Sequence, residues 1–399
     1  MRIAVYHNLT SGGAKRALYE KVKRLAARHT IDVHSLSTAD HEFADIRPFV
    51  ANHHVYPFRP IPLLKSPFGR LNQVIRLLDL RRLNRLTSSI AARIEAGDYN
   101  LVYVDTCQFE NCPGLLRHLH NLSSVYYCHE PLRIVYETMP ARPYDERAST
   151  RRRFFNRFDP LPGLYKRALQ INDRANMRRA SRVLVNSKFT RENVKSIYQV
   201  EARVNYQGVD ANHFQSLELE RQRFVLSVGS LTPLKGFDFL IQSLAEIPPR
   251  ERPALVIASN FQNPPEKAYL QGLAQEKSVD LRLLGNVNEE SLVELYNQAF
   301  LTAYAPIREP LGFVSLESMA CETPVVAVRE GGIPETVLHN RTGLVVERDP
   351  KEFAQALCSL LANPAKARQL GKAGRAFVLD QWTWDHSVVD LEGHFSFTN

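Results

Sequence analysis

The sequence predicts an α/β protein built from two tandem doubly wound domains. Short apolar runs of strand length alternate with segments of helical period along the whole chain. That alternation restarts once, after a polar stretch near Val204–Phe214. The length of 399 residues suits two domains of about 200 residues each.

The first half opens with an apolar strand over Arg2–His7 that ends at Ser11-Gly12-Gly13. Ala14–His29 then places Leu18, Val22 and Leu25 on one helical face. Strands follow over Ile31–Leu36, Asn100–Val104, Val125–Cys128 and Arg182–Asn186. An amphipathic helix over Asn84–Glu95 stops at Gly97, and another starts at Ser187, a residue suited to capping. In the second half, strands are expected over Arg223–Val228, Ala254–Ala258, Leu281–Leu284, Leu301–Ala303, Pro324–Val328 and Gly343–Glu347. Helices are expected over Phe237–Glu246, Lys351–Leu361, Ala365–Leu379 behind Pro364, and Trp384–Phe395. The expected boundaries are 1–205, 206–380 and a terminal helix over 381–399. Such alternation implies parallel sheets with helices on both faces, and ligands outside the carboxyl ends of the strands.

Composition narrows the class. Hydrophobic content of 44% and charged content of 23% fit a soluble globular protein. No apolar run reaches the roughly 18–20 residues that span a bilayer. The chain starts directly as a strand, so no signal peptide is expected. Five cysteines without a CxxC pair suggest neither a disulfide framework nor a zinc site, and point to a reducing cytoplasm. The net charge is +9, with arginines and lysines gathered between Arg147 and Arg191 and Phe154, Phe155 and Phe158 among the first of them. This stretch fits an anionic partner and equally a solvated helix face.

The chemistry is concentrated in Glu309-Pro-Leu-Gly-Phe-Val-Ser-Leu-Glu317. Gly312 lets backbone approach a ligand, Glu309 can accept hydroxyl hydrogen bonds, and Glu317 is expected where a helix begins. Carboxylates suit vicinal diols, so the pattern suggests a nucleotide-sugar site. The second feature is Gly229-Ser-Leu-Thr-Pro-Leu-Lys235-Gly236 between a strand and a helix. A lysine beside a helix start suits a pyrophosphate, although a surface lysine at a cap would look similar. His129 follows a strand and Asp105 ends another, so both are expected at a cleft. There is no GxGxxG, GxxxxGK[ST], HExxH, GxSxG or Asp-x-Asp, which argues against a Rossmann dehydrogenase, a P-loop enzyme and dedicated divalent-metal anchoring.

Gly12-Gly13, His129, Val183–Thr190, Gly208-Val209-Asp210 with Phe214, Gly229 through Gly236, Glu309 through Ala327 and Gly331–Thr336 together resemble the family-4 type of retaining glycosyltransferases. The resemblance covers nearly the whole chain. It implies the GT-B fold, two Rossmann-like doubly wound domains facing across a cleft, with the last helix crossing back to the first domain. The N-terminal domain would take the acceptor and the C-terminal domain a UDP- or GDP-linked sugar. By the same resemblance Glu309 would hold sugar hydroxyls, Lys235 the diphosphate and Glu317 the ribose diol. Gly312, Phe313 and Val314 would present backbone to sugar and phosphate, and Asn286 and Val287 to the base. Gly12 and Gly13 would approach the diphosphate, and His129 the transferring sugar. Ser230, in the same phosphate loop, stands where the family usually has arginine, and Glu322 where it usually has glycine.

These roles imply a retaining, metal-independent hexosyltransferase without cofactor. The acceptor would be a glycan or lipid-linked molecule of cell-surface polysaccharide or glycolipid synthesis. The setting would be cytoplasmic and peripheral on the inner face of the plasma membrane, with an anionic membrane surface met through Arg147–Phe158 and no nucleic acid partner. The alternatives are a soluble-acceptor sugar synthase or phosphorylase of the same fold and a non-catalytic nucleotide-sugar-binding module.

Overall fold

The computed structural model describes residues 1–65, 68–144 and 159–396. The Arg147–Phe158 stretch lies outside the described residues. The chain forms two compact units. One comprises Met1–Thr138, Ala148–Tyr206 and Ser387–Asn399, and the other Met139–Arg147 and Gln207–His386.

The first unit runs β1 (Arg2–Asn8), α1 (Gly13–Leu25), β2 (Thr30–Leu36), β3 (Asn52–Tyr56), α2 (Asn72–Glu95), β4 (Leu101–Cys107), β5 (Ser124–Cys128), α3 (Arg133–Tyr136), α4 (Leu161–Met177), β6 (Arg182–Val185), α5 (Lys188–Tyr198) and β7 (Ala202–Val204). Its seven strands pair in parallel in the order β3-β2-β1-β4-β5-β6-β7. Strand side chains alternate between two cores. Ala4, Tyr6, Val102, Val104 and Tyr126 pack with Leu83, Ile90 and Ile94 of α2 and Val194 of α5. Ile3, Val5, Val33, Tyr103 and Tyr127 face the other way, onto Leu18 and Val22 of α1. Val388 and Leu391, from the helix at Trp384–Gly393, join this second core with Phe395. Burial of such side chains contributes about 1.5–3 kcal/mol each.

The second unit runs β8 (Gln222–Val228), α6 (Phe237–Ala245), β9 (Ala254–Ala258), α7 (Pro264–Glu276), β10 (Leu281–Leu284), α8 (Glu289–Gln298), β11 (Ala299–Tyr304), α9 (Phe313–Ala320), β12 (Val325–Val328), α10 (Ile333–Thr336), β13 (Gly343–Val346), α11 (Pro350–Leu361) and α12 (Pro364–Gln381). Its strands are parallel in the order β10-β9-β8-β11-β12-β13. Asp349 and Asn363 cap α11 and α12 by accepting from backbone N–H groups, and proline fills the first helical position of both.

Several elements depart from the sequence expectation for physical reasons. Helix α2 begins at Asn72, not Asn84. Leu71, Val74 and Leu78 are exposed, so the buried stripe that marks a helix starts only at Leu80 and Leu83. Strand β3 is a mostly exposed edge strand, Asn-His-His-Val-Tyr, without apolar alternation. The basic region contains α4, which buries Leu169, Asp173, Asn176 and Met177 while Lys166, Arg167 and Arg174 are exposed. Glu317 is not at a helix start: α9 begins at Phe313 because Gly312 takes the cap, so Glu317 is buried one turn in. Glu322 has φ 57°, the left-handed region that favours glycine, which fits a turn between α9 and β12. Residues 139–144 belong with the second unit although their neighbours in sequence belong to the first. Arg142 pairs there with Asp238 at 2.8 Å and with the fully buried Glu266 at 3.0 Å.

The first unit also holds an acid whose burial opposes its charge. Glu110 accepts from Gly114 N–H at 2.6 Å, and burial pushes its carboxyl up to about 7. The folded state therefore holds a proton that the unfolded chain releases above its ordinary carboxylate range. Stability is lost as pH rises from the unfolded value toward 7, and the loss is complete above it. Glu110→Gln is expected to flatten this dependence, gaining roughly 1–3 kcal/mol relative to the parent between about pH 5 and pH 8 in urea unfolding.

Candidate functional site

Strands β8 and β11 are neighbours, but their connections lead in opposite directions along the sheet, to β9 and to β12. Such a divergence opens a gap outside the carboxyl ends. The loops over residues 229–236 and 305–312 both rise from it. They are joined by Ile307 N–H donating to the Leu234 carbonyl at 2.8 Å.

Lys235 lies in a 3-10 turn over Pro233–Lys235, and its ammonium donates to both oxygens of Glu309 at 2.9 and 3.1 Å. The Lys235 stem runs over Gly229, where a Cβ would come 3.4 Å from its carbons. The two side chains are 23% and 18% exposed, so the pair is partly withdrawn from water and its charges are weakly screened. Gly331 and Gly332 hold the Glu309 backbone from below. Gly332 N–H donates to the Glu309 carbonyl at 2.8 Å, and a Cβ on Gly331, which has φ 61°, would collide with that oxygen.

Gly312, at φ 91°, caps α9 and lies over the ring of Tyr304, with no acidic residue in the first turn. The first-turn N–H groups at Phe313 and Val314 thus form the positive end of a helix. Burial and the nearby Glu309 push the Tyr304 phenol well above its ordinary value. Glu317 accepts from the buried Tyr296 hydroxyl at 2.9 Å. Two strands away, Asn286 takes φ 55°. Val287 exchanges two hydrogen bonds of 2.8 Å with the Asn260 side chain.

The Ser230 carbonyl accepts from Thr232 N–H at 2.7 Å. Among the described residues, Arg348 and Arg142 lie beside this loop and are engaged elsewhere. Arg348 lies beside Gly236, but its guanidinium is committed to Glu330 and to the carbonyls of Ala305 and Pro306. Arg142 is committed to Asp238, Glu266 and the Pro233 carbonyl. Asp238 also occupies the first turn of α6, the helix that follows Lys235.

In the first unit the corresponding divergence is between β1 and β4. Gly12 caps α1 at φ 143° with open space around its Cβ direction, and Gly13 is the first helical residue. His129 Nε2 pairs with Asp105 Oδ1 at 2.9 Å, while the buried Asp105 Oδ2 has no partner among the described residues. Lys15, in the first turn of α1, is 1% exposed, and burial lowers its pKa. The Lys235–Glu309–Gly312 group and the Gly12–Gly13–His129 group therefore belong to different units.

Arg142, Asn260, Tyr296, Arg348 and Lys15 carry no mark in the sequence. None stands in a short motif, and what each does follows from its place in the fold. Gly331→Ala is expected to cost about 1–3 kcal/mol in chemical unfolding, because it strains the backbone and pushes against the Glu309 carbonyl.

Comparison with known proteins agrees with this architecture. Residues 11–213 match the family model for glycosyltransferase family 4, and residues 209–377 that for glycosyl transferases group 1. A GDP-mannose-dependent alpha-(1-6)-phosphatidylinositol monomannoside mannosyltransferase of Mycobacterium tuberculosis is 35% identical over 231 residues, 51% of this chain and 59% of that one. Alpha-maltose-1-phosphate synthase of Mycolicibacterium smegmatis is 32% identical over 192 residues, 45% of this chain and 49% of that one. The chain thus spans about half the length of these curated relatives. Sucrose-phosphate synthase from Thermosynechococcus elongatus superposes with a TM-score of 0.73 at 21% identity, covering 99% of this chain and 98% of that one. Anabaena HepE in complex with UDP and glucose gives 0.71 at 18% identity, with both chains fully covered. These likenesses extend to the GT-B fold, and with the family match over 11–213 the chain belongs to glycosyltransferase family 4.

Proposed function

We propose that the protein transfers a hexose from a nucleoside-diphosphate donor to a glycan or lipid-linked acceptor with retention at the anomeric carbon. The observation that carries this reading is the Lys235–Glu309 pair, set at the strand divergence beside the Gly312-capped end of α9. A diphosphate suits that helix end and the ammonium, while Glu309 has the lone pairs for sugar hydroxyls. The Glu309 carboxylate also keeps the Lys235 charge compensated before a donor arrives.

In this reading Gly312, Phe313 and Val314 offer backbone to sugar and phosphate, Glu317 takes the ribose diol, and Asn286 and Val287 meet the base. Gly12 and Gly13 serve the diphosphate, and His129 the transferring sugar. Asp105 orients the His129 ring through their hydrogen bond. The bond from the anomeric carbon to the diphosphate oxygen breaks as the bond to the acceptor oxygen forms on the same face. The acceptor's hydroxyl proton passes to the departing diphosphate oxygen. Lys235 and the helix end stabilise the charge that develops there, without a dedicated metal. With Ser230 in the family's arginine position, leaving-group stabilisation rests more on Lys235. Relatives named as phosphatidylinositol mannoside and maltose-1-phosphate enzymes keep both lipid-linked and soluble acceptors in view. We place the enzyme in the cytoplasm and at the membrane surface. Among the described residues no helix is long and apolar enough to cross a membrane.

The test is thermal shift and slow hydrolysis with a panel of UDP-, GDP- and ADP-sugars, followed by transfer to lipid-linked and soluble acceptors. One nucleotide sugar is expected to stabilise the protein and be hydrolysed. Lys235→Ala is expected to lower kcat by about a hundred- to a thousandfold, since it removes charge stabilisation of the leaving group. Glu309→Gln is expected to lower kcat and weaken sugar binding while sparing the free nucleoside diphosphate. Full activity in both variants would end this site assignment.

A further inference from the structure

One arginine of the second unit comes from outside that unit's continuous stretch of sequence. Between α3 and α4 the described residues 139–144 belong to the second unit. Arg142 anchors them there, with a side chain only 6% exposed. Its guanidinium meets the first turns of two helices, each carrying one acid, Asp238 in α6 and Glu266 in α7. Nη1 donates to Asp238 Oδ2 at 2.8 Å and Nη2 to Asp238 Oδ1 at 3.1 Å, a two-pronged pair. Nε donates to Glu266 Oε2 at 3.1 Å and Nη2 to Glu266 Oε1 at 3.0 Å. The Tyr144 hydroxyl donates to the same Glu266 Oε2 at 2.5 Å, and the Tyr269 ring centroid lies 5.1 Å from Arg142 Cζ.

Two of these contacts bear on the loop that carries Lys235. Arg142 Nη2 also reaches the Pro233 carbonyl at 3.4 Å. That carbonyl accepts from Gly236 N–H at 3.3 Å and so closes the 3-10 turn over Pro233–Lys235. Asp238 is the second contact. It stands in the first turn of α6, behind Gly236, which caps the helix at φ 66° without a side chain. A carboxylate in a first turn favours the positive helix end, and it repels any other anion brought there. At 20% exposure, water screens that repulsion only in part. Held through both oxygens by Arg142, the Asp238 charge is cancelled beside the turn of Lys235. A lysine could match this charge but not the planar fork. Anchoring of the segment is already supplied by the fully buried Glu266, so the Asp238 and Pro233 contacts are available for a further role.

We propose that Arg142 is a positioning residue for the donor diphosphate: it cancels the Asp238 charge at the start of α6 and fixes the turn that presents Lys235. The inference rests on the donor reading, because it concerns the same loop.

The full-length protein would be titrated calorimetrically with UDP, GDP and ADP and with the corresponding nucleosides. Arg142→Gln is expected to weaken binding of the tightest diphosphate about tenfold while leaving its nucleoside unaffected. Arg142→Lys is expected to fall between Arg142→Gln and the parent. Adding Asp238→Asn to Arg142→Gln is expected to recover most of the loss, because the opposing carboxylate is gone. Asp238→Asn alone keeps the Arg142–Glu266 pair and is expected to bind the diphosphate more tightly than the parent, a result that does not depend on Arg142→Gln folding. Parent-like diphosphate affinity in Arg142→Gln, an equal loss for diphosphate and nucleoside, no recovery in the double variant, or no gain in Asp238→Asn would overturn the proposal. Absence of diphosphate binding in the parent would end the donor reading and this proposal with it. Binding that Lys235→Ala weakens and Arg142→Gln leaves intact would end this proposal alone.

Discussion

The second unit depends on one constraint, the divergence of the connections that leave β8 and β11. Parallel neighbours whose chains part in opposite directions cannot cover the space beyond their ends. Two loops fill that space in part, and their meeting point is the Lys235–Glu309 pair. The pair needs Gly229 beneath the lysine stem, Gly331 and Gly332 beneath the Glu309 backbone, and Gly312 to start α9 without colliding with Tyr304. Gly312, Gly331 and Gly332 are required by close approaches and Gly229 by its φ of 153°, and all four converge on one carboxylate and one ammonium.

Around that pair, other charged residues maintain shape and are already occupied. Arg348 ties Glu330 to the carbonyls of Ala305 and Pro306, and so fixes the loop that carries Glu309. Arg142 joins Asp238 to the buried Glu266, and a charge removed from that cluster would leave an uncompensated partner in a dry place. Lys235 is the cation paired with a group proposed to bind substrate, which makes its exchange of partners chemically useful. In the first unit the His129–Asp105 pair has the same economy: one carboxylate oxygen orients the ring and the other is unpartnered among the described residues.

Much of this is legible in the sequence where local chemistry is decisive. Buried strands such as Val125–Cys128 and Ala254–Ala258 are short apolar runs, and Pro364 marks the start of its helix through its fixed φ. The glycines and carboxylates of the Glu309 loop form a compact pattern. What is not legible depends on partners far along the chain. The ammonium of Lys235 meets Glu309 across 74 positions, and Arg142 meets Glu266 across 124. The early turns of α2 are hidden because their leucines face outward, which blurs the buried stripe. Strand β3 is hidden because an edge strand can be polar on both sides. The place of Glu317 within its helix, one turn in, follows from Gly312 taking the cap at φ 91°.

The central claim is that Lys235 and Glu309 together receive a nucleotide sugar. A crystal structure of the protein soaked with the nucleotide sugar that most stabilises it tests this most directly. The predicted result is a phosphate oxygen within hydrogen-bond distance of Lys235 Nζ, sugar hydroxyls on Glu309, and the ribose diol at Glu317. A nucleotide sugar bound elsewhere, with the Lys235–Glu309 pair intact and uncontacted, would contradict it.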